Sequence, residues 1–111
     1  MRKFECIAEG GTYVSTPVIQ PHRETLWSAA FGRDSLDGLF DVTPAADAIT
    51  VLDEAIARFN ADPESLRPLV AADDPIGLRG NRQALAGIRR FLAQNGGTIS
   101  GPIDDAEDGA E

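Results

Sequence analysis

Between Thr43 and Asn60 the sequence TPAADAITVLDEAIARFN repeats apolar residues at three- and four-residue spacing: Ala45, Ala48, Ile49, Leu52, Ala55, Ile56 and Phe59. That period predicts an α-helix with one apolar side along its whole length. Thr43 is suited to cap the first turn, and Pro44 fits the first helical position, where a missing N–H costs nothing. The opposite side carries Asp47, Thr50, Asp53, Glu54 and Arg58. Glu54 and Arg58 are ordered for an i,i+4 pair contributing about 0.2 to 0.5 kcal/mol. Such a helix has to be covered on its apolar side, so the remaining segments are constrained to supply the cover.

At 111 residues the chain is expected to form one domain, hiding about 60 to 70% of its unfolded surface. No apolar run approaches the roughly 18 residues of a membrane-spanning helix. The N-terminal MRKFECIAEG meets Glu5 and Glu9 where a signal peptide needs an apolar stretch, so secretion by that route is not expected. Cys6 is the only cysteine, which excludes an intramolecular disulfide and a cysteine-rich metal site and fits a reducing cytoplasm. No cofactor is called for by any motif.

The net charge of −8 is unevenly distributed. Residues 24–74 carry eleven acids and three bases, residues 75–103 carry four arginines and no acid, and residues 104–111 carry five acids. A strongly acidic body repels a phosphate backbone and attracts basic protein surfaces.

Lys3 to Ile19 reads as a β-hairpin turning at Gly10-Gly11, with Phe4, Cys6 and Ala8 on the inward face and Pro17 limiting the second strand to an edge. A lone hairpin is marginal, so it must lie on helices, gain a third strand or pair with another copy through its open edge. Pro21 to Phe31 fits a short helix through Leu26, Trp27, Ala30 and Phe31, the alternative being a third strand over residues 25–29. Ser35 is placed to cap a further turn carrying Leu36, Leu39 and Phe40. Trp27, Phe31, Phe40 and Phe59 are then the main aromatic core, each worth about 1.5 to 3 kcal/mol by burial. After the central helix, Pro63 and Pro68 predict two short turns or a kinked helix. Asn81 is read as the cap of a last helix running from about Arg82 to Gln94, with Leu85, Ile88, Phe91 and Leu92 inward and Asn95-Gly96-Gly97 closing it. Residues 101–111, GPIDDAEDGAE, have little to bury and are expected to be a disordered acidic tail beyond a domain of residues 1–100. The predicted architecture is α+β: an N-terminal hairpin of two or three strands on a bundle of three or four helices.

His22 is the only histidine, and no nucleophile is placed by any motif to use it with a carboxylate such as Glu24, so an enzyme built on it ranks last. Asp34, Asp37 and Asp41 share a helical spacing that suits a hard cation, but they lack the alternating ligands of a calcium loop. The better candidates are two surfaces of opposite sign. Asp47, Asp53, Glu54, Asp62 and Glu64, extended by Asp73 and Asp74, form an acidic array able to imitate a nucleic-acid backbone. Arg82, Arg89 and Arg90, with Arg79 one turn earlier, form a stripe that either pairs within the molecule, with the acidic face of the central helix or the tail beyond Ile103, or holds phosphates or an acidic partner. The first leads to the preferred expectation: a non-enzymatic cytoplasmic protein that occludes a basic, nucleic-acid-binding surface of a larger partner. Phage-encoded anti-CRISPR proteins and other DNA mimics have this general profile, though that class shares no motif. The second gives the alternative, a nucleic-acid-binding or regulatory module using the arginine stripe.

Overall fold

The computed structural model describes residues 2–16 and 19–104. Its elements in chain order are β1 (Arg2–Ile7), β2 (Tyr13–Ser15), α1 (Pro21–Ala30), β3 (Phe40–Pro44), α2 (Ala45–Ala61), α3 (Pro63–Leu66), a 3₁₀ turn (Arg67–Leu69), α4 (Gly77–Asn95) and β4 (Thr98–Asp104). The four strands form one antiparallel sheet in the order β2-β1-β4-β3. The fold is α+β, as the alternation and helical periods imply.

The hairpin turns at Gly10-Gly11, where Gly11 N–H donates to Ala8 O and Ala8 N–H to Thr12 O, both at 2.8 Å. Phe4 and Cys6 face inward and are buried. Ile7 breaks the alternation because it points out of the sheet, 47% exposed and opposite Tyr13. β2 is shorter than expected and stands at the sheet edge; Pro17 and Val18 lie outside the described residues. The hairpin's third strand is not residues 25–29, which are helical, but β4 on the far side of β1.

Two expectations are corrected by β3 and β4. Residues 101–104 were expected to open a tail, yet they are the second half of a central strand, so the domain runs past residue 100. Residues 105–111 lie outside the described residues. A proline argues against an interior strand because it lacks a ladder donor. Here Pro102 sits where the register slips: Ser100 pairs with Glu5 and Ile103 with Lys3, leaving two residues of β4 opposite Phe4. Gly101 makes the irregularity possible, since its φ is +128° and a Cβ there would stand 2.9 Å from Lys3 O and 3.1 Å from the Phe4 ring. The second correction concerns Ser35, which caps no helical turn. Its Oγ accepts from Asp37 N–H at 3.2 Å, Leu39 N–H closes onto Leu36 O at 3.1 Å, and Phe40 begins β3.

Helix α2 is the predicted amphipathic element, with Ala45, Ala48, Leu52, Ala55 and Phe59 buried. Its start differs from the expectation: Thr43 and Pro44 belong to β3, and Thr43 Oγ1 accepts from Asp41 N–H instead of capping the helix. The first helical amide, Ala45 N–H, donates 2.8 Å to the carbonyl of Gly97. The strand therefore runs straight into the helix, because a distant backbone carbonyl takes over the cap. The segment after α2 forms two short turns, α3 and the 3₁₀ turn containing Pro68. Helix α4 begins at Gly77, one turn before the expected Asn81 cap, and buries Leu85, Ile88 and Leu92 with Phe91 partly covered.

The core lies between one face of the sheet and the helices. Phe4 and Phe40 meet edge to face with ring centroids 5.6 Å apart, and Phe31 meets Phe40 at 6.5 Å. Trp27, Phe40 and Phe59 are buried and Phe31 is partly so, which matches the expected aromatic set with Phe4 added from the hairpin.

Gly97 carries the tightest backbone approach of the fold: at φ +83°, a Cβ there would stand 1.8 Å from Ile7 O. Gly97→Ala is expected to lower unfolding free energy by about 3 kcal/mol or more, measured as a lower urea midpoint. Gly11→Ala, also at positive φ but with open space around it, is expected to cost about 1 kcal/mol.

Candidate functional site

Positions 47 and 54 on α2 are seven residues apart, so Asp47 and Glu54 lie on nearly the same line of the helix, opposite the buried stripe. Both are exposed. Glu54 does not form the expected pair with Arg58. That guanidinium turns to the end of α1, where Nη1 donates to Ala29 O at 2.9 Å and lies against Gly32. The last carbonyls of a helix attract cations, which explains the diversion. Glu54 consequently has no ion-pair partner among the described residues. Asp62, at the end of α2, is also exposed, and its carboxylate joins no ion pair among the described residues.

The other two members of the acidic set are ion-paired with arginines at the surface. Asp53 is turned about 100° from Glu54 and takes Arg89: Nε lies 2.5 Å from Oδ1 and Nη2 3.4 Å from Oδ2. The same contact holds the Arg89 proton more tightly than usual. Glu64 takes Arg67 at 3.0 Å, three residues along. Among the described residues the five sequence-predicted acids therefore divide into an unpaired set of Asp47, Glu54 and Asp62 and a paired set of Asp53 and Glu64.

The arginine stripe divides as well. Arg89 is committed to Asp53, Arg90 is exposed, and Arg82 is partly buried beside Arg79 at the start of α4. The proposed cation cluster does not assemble. Asp37 is held by Arg2 at 2.5 Å, and no group of three His, Cys, Asp or Glu among the described residues is arranged to hold a metal.

Asp74 was read from sequence as one more surface acid, but its side chain is only 1% exposed. Arg23 grips it with Nη2 at 2.8 Å from Oδ1 and Nε at 3.1 Å from Oδ2. Ile76 N–H donates to Oδ1 at 3.1 Å and Asn81 Nδ2 to Oδ2 at 3.2 Å. Asn81 in turn accepts from Trp27 Nε1 at 2.9 Å and donates to Gly77 O at 2.7 Å. The result ties α1 to the first turns of α4 through buried, satisfied polar groups. Asn81 had looked like a helix cap, whereas it sits inside the helix at 0% exposure. A signal was present in the single tryptophan, whose N–H needs an acceptor once buried. The Arg23 guanidinium, reinforced by Asn81 and the Ile76 amide, holds the Asp74 carboxyl far below the usual carboxylate range.

His22 meets Asp74, with Nε2 3.5 Å from Oδ2, and not Glu24, which is taken by Arg2 at 2.5 Å. No hydroxyl or thiol among the described residues is hydrogen-bonded to His22. Cys6 is buried, and burial pushes its thiol up, away from the reactive thiolate. A cavity of about 320 Å³ opens between the hairpin, α1 and α4, lined by Cys6, Val14, Ile19, Trp27 and Phe91. Its one charged lining group, Arg23, is engaged by Asp74.

Because the folded Asp74 pKa is depressed, its contribution to stability is fully present above the ordinary value of about 4 and is lost as pH falls toward the folded one. Asp74→Asn is expected to destabilise by about 3 kcal/mol at neutral pH by leaving Arg23 unpaired. The gap between wild type and variant should narrow steadily below about pH 4, as followed by denaturant unfolding across the acid range. Compared with protein-family models, curated proteins and solved structures, the chain matches none of them.

Proposed function

We propose that the chain is a non-enzymatic, cytoplasmic interaction protein that uses the outer face of α2 to occlude a basic, nucleic-acid-binding surface of a larger protein. Its manner would be that of DNA mimics such as anti-CRISPR proteins. The docking set is Asp47, Glu54 and Asp62, narrower than the sequence suggests because Asp53 and Glu64 are already paired.

One observation carries this reading: Arg58 is drawn to the α1 carboxyl end, which leaves Glu54 uncompensated in line with Asp47. Seven residues of helix advance about 10 Å. Phosphates on one DNA strand advance about 3.4 Å per nucleotide along the axis, so the two carboxylates fall at roughly every third phosphate. A rigid helix holds that spacing without the entropy cost of ordering a loop. The net charge of −8 adds long-range attraction toward a basic partner. The pairing of Arg89 with Asp53 counts against the alternative, in which the arginine stripe holds nucleic acid.

The test is affinity capture from the source cell's lysate with the wild-type chain and with Asp47→Asn/Glu54→Gln/Asp62→Asn, each at low and high salt. A basic protein should be retained by the wild type at low salt, released at high salt, and bound about tenfold more weakly by the triple variant. Equal retention by the triple variant, or no retained protein at low salt, overturns the proposal.

A further inference from the structure

The corner where the end of α2, the 3₁₀ turn and the first turns of α4 meet encloses a cleft of about 420 Å³. Three arginines line it, Arg67, Arg79 and Arg82, together with Phe59, Ile76 and Leu78. In a chain of net charge −8, three cations around one cavity is a concentration of the minority sign. Two of the three have no counter-charge among the described residues. Arg67 has an exposed partner in Glu64, while Arg79 and Arg82 form no ion pair among the described residues. The nearby Asp74 is turned inward to Arg23 and Asn81 and is not available to them. The apolar part is shaped by Gly80: a Cβ there would stand 2.4 Å from the Cβ of Ile76. Glycine at this position lets Ile76 fold back over the first turn as a wall, 39% exposed.

We infer that this cleft is a binding site for a small phosphate monoester bearing a ring, of nucleotide size. The volume falls within the range of small-ligand pockets, about 300 to 1,000 Å³. Arg79 and Arg82, without ion-pair partners among the described residues, supply the charge that a phosphate dianion needs and the forked donors with which arginine binds it, and Arg67 stands beside them paired with Glu64. Phe59, Leu78 and Ile76 offer the ring an apolar surface next to those forks. The site is independent of the α2 carboxylates, and either can fail without the other.

The test is NMR titration of the intact ¹⁵N-labelled chain with AMP, with adenosine and with inorganic phosphate. AMP is expected to shift the Gly77, Leu78 and Arg79 amides with a Kd at or below about 1 mM. Adenosine and inorganic phosphate should each bind at least about tenfold more weakly. Arg79→Gln/Arg82→Gln, checked for an unchanged melting temperature, should weaken AMP binding by about tenfold or more. Arg90→Gln, which lies outside the cleft, should leave it unchanged. Absence of shifts at about 10 mM AMP, equal binding by the double variant, or adenosine or inorganic phosphate binding as tightly as AMP would each overturn the inference.

Discussion

The backbone of Gly97 is the point on which the architecture turns. Its α-carbon lies so close to Ile7 O that only a residue without a side chain fits, and its carbonyl receives the first amide of α2. One residue therefore joins the end of α4, the start of β4, the end of β1 and the entry to α2. With Gly97 in place, β4 is drawn between β1 and β3, and the apolar stripe of α2 is aimed at the sheet. Buried backbone groups have to be paired, and here that requirement is met by a contact between residues 52 positions apart.

At the opposite end of α4, Asp74 does for side chains what Gly97 does for backbone. It gathers Arg23, Asn81 and the Ile76 amide, and through Asn81 it satisfies the indole of Trp27. A buried carboxylate is costly unless paired and hydrogen-bonded, and here both conditions hold. With Asp74 committed inward, the acid closest in sequence to Arg79 and Arg82 is withdrawn from the surface. The arrangement that stabilises the helix start thus also leaves positive charge uncovered beside it. A parallel trade occurs on α2, where Arg58 serves the end of α1 and Glu54 is left exposed.

The helices were readable because their signals are local. The three- and four-residue period of Ala45 to Phe59 and of Leu85 to Leu92 survives whatever the rest of the chain does, and Pro63 with Pro68 limits any helix there. The β-hairpin was readable from alternation and a diglycine turn. β3 and the second half of β4 were not, because FDVTP and GPID carry prolines and acids that resemble loop. They become strands only by lying beside β1 and each other, with register slips that accommodate Pro102 and the Asp41–Val42 step. Likewise, composition located the acids and arginines along the chain, but nothing local distinguishes a paired Asp53 from an unpaired Glu54 or a buried Asp74 from an exposed Asp73.

The sequence by itself determined the α+β class, the central amphipathic helix, the inward aromatics and the segregation of charge into an acidic middle and a basic helix. Those properties depend on periodicity and content within a few turns of chain. Only tertiary structure decided which carboxylates are paired with arginines, that three arginines share one cleft, and that residues 98–104 form a central strand. Ion pairs and strand pairing are contacts between distant residues, and they are chosen by which segments the core brings within reach.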